Sequence, residues 1–184
     1  MTRKKTLAEI AELWKNDKKL YVKKSTFSAY VLLLENHLLP VFKDYYEIGD
    51  GEVQKFVFQK LDQGLSQKSI KDILIVLKMV LKFGAKNKWI EFINFDVQYP
   101  TVRETHTIEV LSRTHQKKVM GYIQEHFTFR NLGDYICLCS GMRIGEICAL
   151  TWEDIDTDNG IINIRKTIQR IYVIEDGERK TELL

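Results

Sequence analysis

Between Ser66 and Lys88 the chain carries an unbroken helical pattern, and any fold it adopts has to bury one side of it. At about 100° per residue, Ile70, Ile73, Leu74, Leu77, Val80 and Leu81 fall together. Lys68, Lys71, Lys78, Lys82 and Lys86 occupy a narrow arc well away from that side, with Ile75 and Met79 partly exposed among them. Such a lysine row is either a solvated surface or a track for phosphates. Three shorter helices are available to cover the apolar side. Thr6-Leu7-Ala8-Glu9 is a capping box, followed by Leu7, Ile10, Leu13 and Trp14 at helical spacing, which predicts a helix to about Lys18. Ser25 or Thr26 is the expected cap of a second helix that reaches Leu39 and stops before Pro40. Asp50 is the expected cap of a third, with Val53, Phe56, Val57 and Leu61 inward and an end near Gly64. Together they predict a four-helix bundle over residues 6–95.

The pattern then changes. Residues 97–107 lack periodicity, contain Pro100 and read as an interdomain linker. A helix opens at Leu111-Ser112 and runs to about His126 with Val119, Met120 and Ile123 inward. Another spans Leu132–Ser140 with an apolar buried side, Gly141 breaks it, and residues 144–149 form a short helical turn. Residues 161–174 read as a long strand with Ile162, Ile164 and Ile168 on one face. Asp176-Gly177 signals a tight turn, and residues 179–184 are the returning strand. The expected fold is mainly α: a helical domain over residues 1–96, the linker 97–107, and an α+β domain over residues 108–184 that ends in an antiparallel β-hairpin.

Charge and composition narrow the function. Residues 1–100 hold 17 basic and 12 acidic side chains, and residues 101–184 hold 11 and 13. The basic first half suits a polyanionic partner. The most apolar stretch, residues 70–83, is interrupted by Lys71, Asp72, Lys78 and Lys82, so no membrane span is expected, and the start of the chain has no secretory pattern. Cys137, Cys139 and Cys148 read as reduced thiols of a cytoplasmic protein. Cys137-x-Cys139 lacks metal-site spacing, which favours buried thiols over zinc. Trp14, Trp89 and Trp152 read as core or interface aromatics.

One segment carries chemistry. Arg143 stands between Gly141 and Gly145, where an apolar helix gives way to a short one, and Glu146 falls on the same helical face. A guanidinium there is always charged, and its planar fork suits a phosphate. Ser140-Gly-Met-Arg143-Ile-Gly-Glu146-Ile-Cys-Ala-Leu150-Thr-Trp152-Glu-Asp154-Ile-Asp156 closely resembles the first active-site box of the tyrosine recombinases, the phage and transposon integrases. Lys24-Ser25-Thr26, Tyr30, Leu39-Pro40 and Leu65-Ser66-Gln67-Lys68-Ser69-Ile70 follow the order of that family's core-binding domain. The resemblance covers the chain from about residue 6 onward, and the subgroup is similar to integrases of Gram-positive mobile elements.

The resemblance implies a SAM-like core-binding domain followed by a truncated catalytic domain. It implies double-stranded DNA at a recombination site as partner, with further recombinase protomers in a synaptic complex of the full-length protein. It also implies DNA recombination and integration through a 3′-phosphotyrosyl intermediate with no cofactor and no metal. Arg143 matches the first phosphate-binding arginine and Glu146 its acidic support. Lys23, Lys24, Ser25, Thr26 and Tyr30 near the start of the second helix, and Lys68, Ser69, Lys71, Lys78 and Lys82 on the fourth, are the expected DNA contacts. The family also uses a hairpin lysine, a His-x-x-Arg box and a tyrosine nucleophile. Lys180-Thr181 mimics the Lys-Thr pair around the hairpin lysine, whose true equivalent is expected just past residue 184. None of His37, His106, His115 and His126 has an arginine three residues on, and Tyr172 comes too early for the nucleophile. The chain therefore reads as a fragment that binds DNA without cleaving it. The alternatives are a non-catalytic competitor for recombination sites and a helical protein–protein module, which only the exposed Ile75 and Met79 favour.

Overall fold

The computed structural model describes residues 3–101, 109–175 and 178–184. In it the pattern of residues 66–88 becomes α5, Gln67–Lys86, capped by Ser66, whose Oγ accepts from the Ser69 amide at 3.1 Å. Its buried side is the one the spacing predicts, with Val76 and Gly84 added. Around it pack α1 (Leu7–Lys18), α2 (Lys24–Leu33) with its continuation, and α4 (Asp50–Asp62). The capping box at Thr6 is present in both directions, Glu9 N to Thr6 Oγ1 at 3.3 Å and Thr6 N to Glu9 Oε2 at 2.9 Å. Leu7 N and Ala8 N donate to the carbonyls of Tyr45 and Lys43 at 2.9 and 3.0 Å, so each orphan amide of the first turn has an acceptor.

The second helix departs from the sequence expectation at both ends. It starts at Lys24 with Lys23 as N-cap and no side-chain cap, so Ser25 and Thr26 lie inside the first turn. It also does not stop at Pro40. A π-helical turn, Leu34–Leu38, leads into α3, Leu39–Phe42. There the Leu39 amide donates to the Leu34 carbonyl, five residues back, and Pro40 falls in the first turn of α3, where a missing N–H is tolerated. In α4 the N-cap is Gly49, whose amide reaches Glu52 Oε2 at 3.0 Å. Asp50, the expected cap, accepts instead from the Asp96 amide at 3.2 Å.

Residues 89–100 turn back along α5. Gln54 clamps Gln98 with two bonds of 2.9 Å, one donated and one accepted, and Gln67 Nε2 reaches the Pro100 carbonyl at 2.6 Å. The first part of the expected linker is thus fastened to the helices, while residues 102–107 lie outside the described residues.

Beyond it, α6 (Arg113–Glu125), α7 (Leu132–Ser140) and α8 (Ile144–Ile147) follow, with Ser112 capping α6 through the His115 amide at 3.2 Å. Core formation here is sparse. Of the expected inward trio on α6 only Ile123 is buried, no residue of α7 is, and Cys137, Cys139 and Cys148 are exposed rather than buried. Among the described residues α7 meets α6 on one flank and α8 at its end, and its apolar residues Leu132, Ile136 and Leu138 are left half-buried rather than buried. Trp152 is 83% exposed and is not a core aromatic.

The expected long strand is broken. β1 (Ile155–Asp156) pairs antiparallel with β2 (Ile161–Ile162), Ile155 opposite Ile162. Asn163 N still donates to the Asp154 carbonyl in the register of that ladder, and the residues after it leave the ladder, with Ile168 N donating to the Gly145 carbonyl, both bonds at 2.8 Å. Ile162, Ile164 and Ile168 are exposed and share no buried face. β3 (Arg170–Glu175) and β4 (Glu178–Leu183) make the hairpin, closed by reciprocal Gln169–Leu184 backbone bonds of 2.9 Å. Its expected Asp176-Gly177 turn lies outside the described residues. Of the described residues, those up to 101 and those of 171–182 form one compact unit, and those of 109–170 with Leu183 and Leu184 form the other. The sequence pattern alone groups residues 108–184 together. The hairpin strands lie with the N-terminal helices instead because Glu182 pairs with Lys24 and Ser28 donates to the Tyr172 carbonyl.

At the end of α5, Trp89 N donates to the Gly84 carbonyl at 3.0 Å and Lys88 N to that of Ala85 at 2.9 Å, with Trp89 against Phe83 at 5.8 Å. This is a Schellman cap whose left-handed residue is Lys88, φ 59°. A side chain there is strained, so Lys88→Gly is expected to raise stability by about 0.5–1 kcal/mol, read as a higher urea midpoint at unchanged m-value.

Candidate nucleic-acid interface

Arg143 is placed by the turn before it and the helix after it. Gly141, φ +70°, closes α7 in a conformation that glycine adopts without strain, and its amide donates to the Cys137 carbonyl at 2.9 Å. The Ser140 hydroxyl accepts the Met142 amide at 3.2 Å. Arg143 is then the N-cap of α8, where Glu146 grips it twice. Glu146 Oε2 accepts the Arg143 amide at 2.9 Å and Oε1 the guanidinium Nη1 at 3.2 Å. The side chain of Arg143 is nonetheless 86% exposed, so the guanidinium is braced at one nitrogen and open to solvent around the rest. The Arg143 amide first, and its guanidinium after it, hold the Glu146 carboxyl below the ordinary glutamate range against an opposing effect of burial.

Two features of this site have no counterpart in the sequence expectation. Gly145 accepts from Ile168 N, and a Cβ at Gly145 would sit 2.5 Å from Thr167 Oγ1 and 2.6 Å from the Ile168 carbonyl oxygen. The extended stretch 163–169 thus lies directly on the arginine box, and only glycine leaves room for it. Asp154 is buried, accepts the amide and hydroxyl of Thr151 at 3.0 and 2.8 Å, and has Arg165 Nε at 3.6 Å. The Thr151 bonds, ahead of the charges of Lys166 and Arg165, depress its pKa. Glycine flanking an arginine is visible in the sequence. That residues 163–169 return to it is not, because the contact crosses more than twenty positions.

The basic candidates sort into three groups. Lys23 and Lys24 lie at the start of α2, with Lys24 paired to Glu182, and Ser25 and Thr26 are half-buried beside them. Tyr30 is half-buried and packs on Trp14 at 6.1 Å, as a rim residue of the core. On α5, Lys68 is exposed at the first turn, and Ser69 shares a hydroxyl bond with Ser66 at 2.9 Å. Lys71, Lys78 and Lys82 each lie over a ring of residues 89–100: Tyr99 at 5.1 Å, Phe95 at 4.6 Å and Phe92 at 5.6 Å. Ile75, 53% exposed, lies between the first two of these lysines. Lys180 is an exposed residue of β4, in the unit of the N-terminal helices, whereas Arg143 and Glu146 belong to the other. Among the described residues there is no cluster of three His, Cys, Asp or Glu side chains able to hold a metal ion, and no helix long and apolar enough to cross a membrane.

A SAM-like helical unit ahead of an arginine box of this geometry defines the class of site-specific recombinases that work through tyrosine. Residues 6–57 match the phage integrase N-terminal SAM-like domain and residues 115–180 match the phage integrase family, more than half of the chain between them. The chain belongs to the phage integrase, or tyrosine recombinase, family. It is 26% identical to the putative defective protein IntQ of Escherichia coli K12, over 90% of this chain and 45% of that protein. It is 27% identical to the prophage integrase IntR of the same organism, over 58% of this chain and 25% of that one. The chain thus spans less than half the length of these relatives. It shares its fold with the Tn1549 transposon integrase solved in complex with a circular intermediate DNA, with a TM-score of 0.65 and 20% identity over 97% of this chain and 57% of that one. The same integrase with transposon right end DNA gives a TM-score of 0.63 at 20% identity.

Two outcomes are expected at the arginine box. Gly145→Ala should cost about 1–3 kcal/mol and raise the hydrogen-exchange rate of the Ile168 amide, since the added methyl and the crossing strand cannot both keep their places. Because Glu146 titrates below its ordinary value, its support of the α8 start is complete above that value and is lost as pH falls through the lowered one. Carboxyl NMR should place its midpoint below that of an unstructured glutamate, with the Arg143 amide shift moving in step.

Proposed function

We propose that this chain grips duplex DNA at a recombination site, with the lysines of α2 and α5 on the backbone and Arg143 presented to a phosphodiester. The observation that carries the reading is Arg143, whose amide and guanidinium Nη1 are held by Glu146 while the rest of the guanidinium is open to solvent. A fixed, permanently charged fork of this kind can hold the two non-bridging oxygens of a phosphate and stabilise charge that builds on them. The relatives support the same reading: one is a prophage integrase, and the Tn1549 integrase is seen with DNA. The ammonium of Lys68 and the ring-seated ones of Lys71, Lys78 and Lys82 supply a row of cations at one- and two-turn spacing along α5. Residues 1–96 are the proposed core-binding domain, and residues 108–184 the proposed part of the catalytic domain that carries Arg143.

These 184 residues include no histidine followed by arginine three positions later. The polypeptide of these residues is therefore proposed to bind and position DNA without forming a phosphotyrosyl link, with Lys180 the weakest of the proposed catalytic positions. Within a full-length family member, the same residues would serve integration together with other protomers.

Fluorescence anisotropy with a labelled duplex tests this. Affinity should fall steeply from low to moderate salt. Replacing Lys68 and Lys71 by glutamine should reduce the log–log slope by roughly 0.9 for each phosphate that the variant no longer neutralises. Arg143→Ala should leave the thermal midpoint within about 2 °C and weaken binding modestly, because it removes one phosphate ligand among several. A nicked suicide substrate should yield no covalent adduct. Absence of binding to any duplex at low salt would leave the helical protein–protein module as the better reading.

A further inference from the structure

The start of α2 is already occupied. Glu182 of β4 pairs its carboxylate with the Lys24 ammonium, and the Ser28 hydroxyl one turn on donates to the Tyr172 carbonyl of β3. A turn further, Ile174 lines a common groove with Phe27 and Val31. Positions 24, 28 and 31 form one face of α2, and the hairpin meets all three with a carboxylate, a carbonyl oxygen and an aliphatic side chain, in that order. The seat is a packed one: Ser28, Val31 and Ile171 are buried. Lys24 keeps 54% of its side chain in solvent. Resting on the DNA-gripping role proposed above, we infer that the β3–β4 hairpin is an autoinhibitory element. Its Glu182 carboxylate takes the place of a backbone phosphate at Lys24, and DNA has to displace it. A carboxylate and a phosphate oxygen make the same charge-assisted bond to an ammonium, so they compete for one cation rather than add.

The test compares the whole chain with Glu182→Gln, Lys24→Gln and the double variant, by anisotropy with a random-sequence duplex of about 30 base pairs in low salt. Glu182→Gln should tighten binding about two- to fivefold, the fold-change a released surface ion pair allows. Lys24→Gln should weaken it, and on that background Glu182→Gln should change nothing. A second measurement keeps the idea exposed if Glu182→Gln perturbs folding. Saturating DNA added to the unmodified chain should speed hydrogen exchange in β3 and β4. Equal affinity of Glu182→Gln and the unmodified chain, a gain that survives in the double variant, or unchanged or slowed exchange in the hairpin would each overturn autoinhibition while leaving DNA binding intact. Failure of the unmodified chain and all variants to bind the duplex overturns the DNA-gripping role as well, and so separates the two.

Discussion

The apolar side of α5 is the constraint on which the first unit is built. Eight of its residues are buried, and each fully buried aliphatic side chain contributes about 1.5–3 kcal/mol relative to exposure. Among the described residues no other helix has a comparable stripe, so α1, α2 with its π turn, and α4 are positioned by the need to cover it. Gly84 shows how close that cover comes: a methyl group there would lie 2.9 Å from Ile10 Cδ1 and 3.0 Å from Ile90 Cδ1. Pro40 is tolerated for the same reason. Leu34, Leu38 and Phe42 are all buried, and the π turn keeps all three on the core side across a residue that would otherwise end the helix.

Burying one side of α5 fixes the opposite side in space, and that is what turns a lysine-rich helix into an ordered array. The aromatic side chains of residues 89–100 extend the effect. Tyr99, Phe95 and Phe92 each take the ammonium of one lysine within about 6 Å of the ring, which limits how far that ammonium swings without removing its charge. Gln54, Asp50 and Gln67 hold the backbone that carries those rings. The second unit uses a different device. It buries little, so Arg143 is fixed by local hydrogen bonds, by glycine at Gly141 and Gly145, and by the crossing of residues 163–169 over the box.

This difference explains what the sequence can and cannot convey. Where burial decides the structure, periodicity reports most of it: the inward sides of α1, α4 and α5 and the helix starts at Thr6, Ser66 and Ser112 are legible, although Leu13 is exposed and Lys60 is buried where Leu61 is only half-buried. Tyr30 and the α5 lysines are legible as to position but not as to partner, since Trp14 and the rings of residues 89–100 are remote or non-periodic. The arginine box is legible as a motif, and its Arg143–Glu146 brace follows from a separation of three. The cysteines of α7, the face of Ile162, Ile164 and Ile168, and Trp152 mislead, because apolar spacing signals burial only where a core forms, and the described residues of the second unit form almost none. The cap of α2 and the course through Pro40 mislead because local propensity yields to the core it serves.

Both cationic sites share one arrangement, in which a basic group is held at its root by a helix start and met at its charged end by a carboxylate. Arg143 is anchored through its own amide to the carboxylate that also touches its guanidinium, so the brace orients the fork while leaving most of it in solvent. Lys24 is anchored by being the first residue of α2, where the helix dipole adds to its own charge. The two differ in what meets the charge. Glu146 is local to Arg143, three residues away, and cannot leave without unmaking the start of α8. Glu182 reaches Lys24 from 158 positions further along the chain, on a hairpin that the N-terminal helices hold by few polar bonds. A local partner of this kind tunes a site permanently, whereas a distant one on a separable element makes the site conditional.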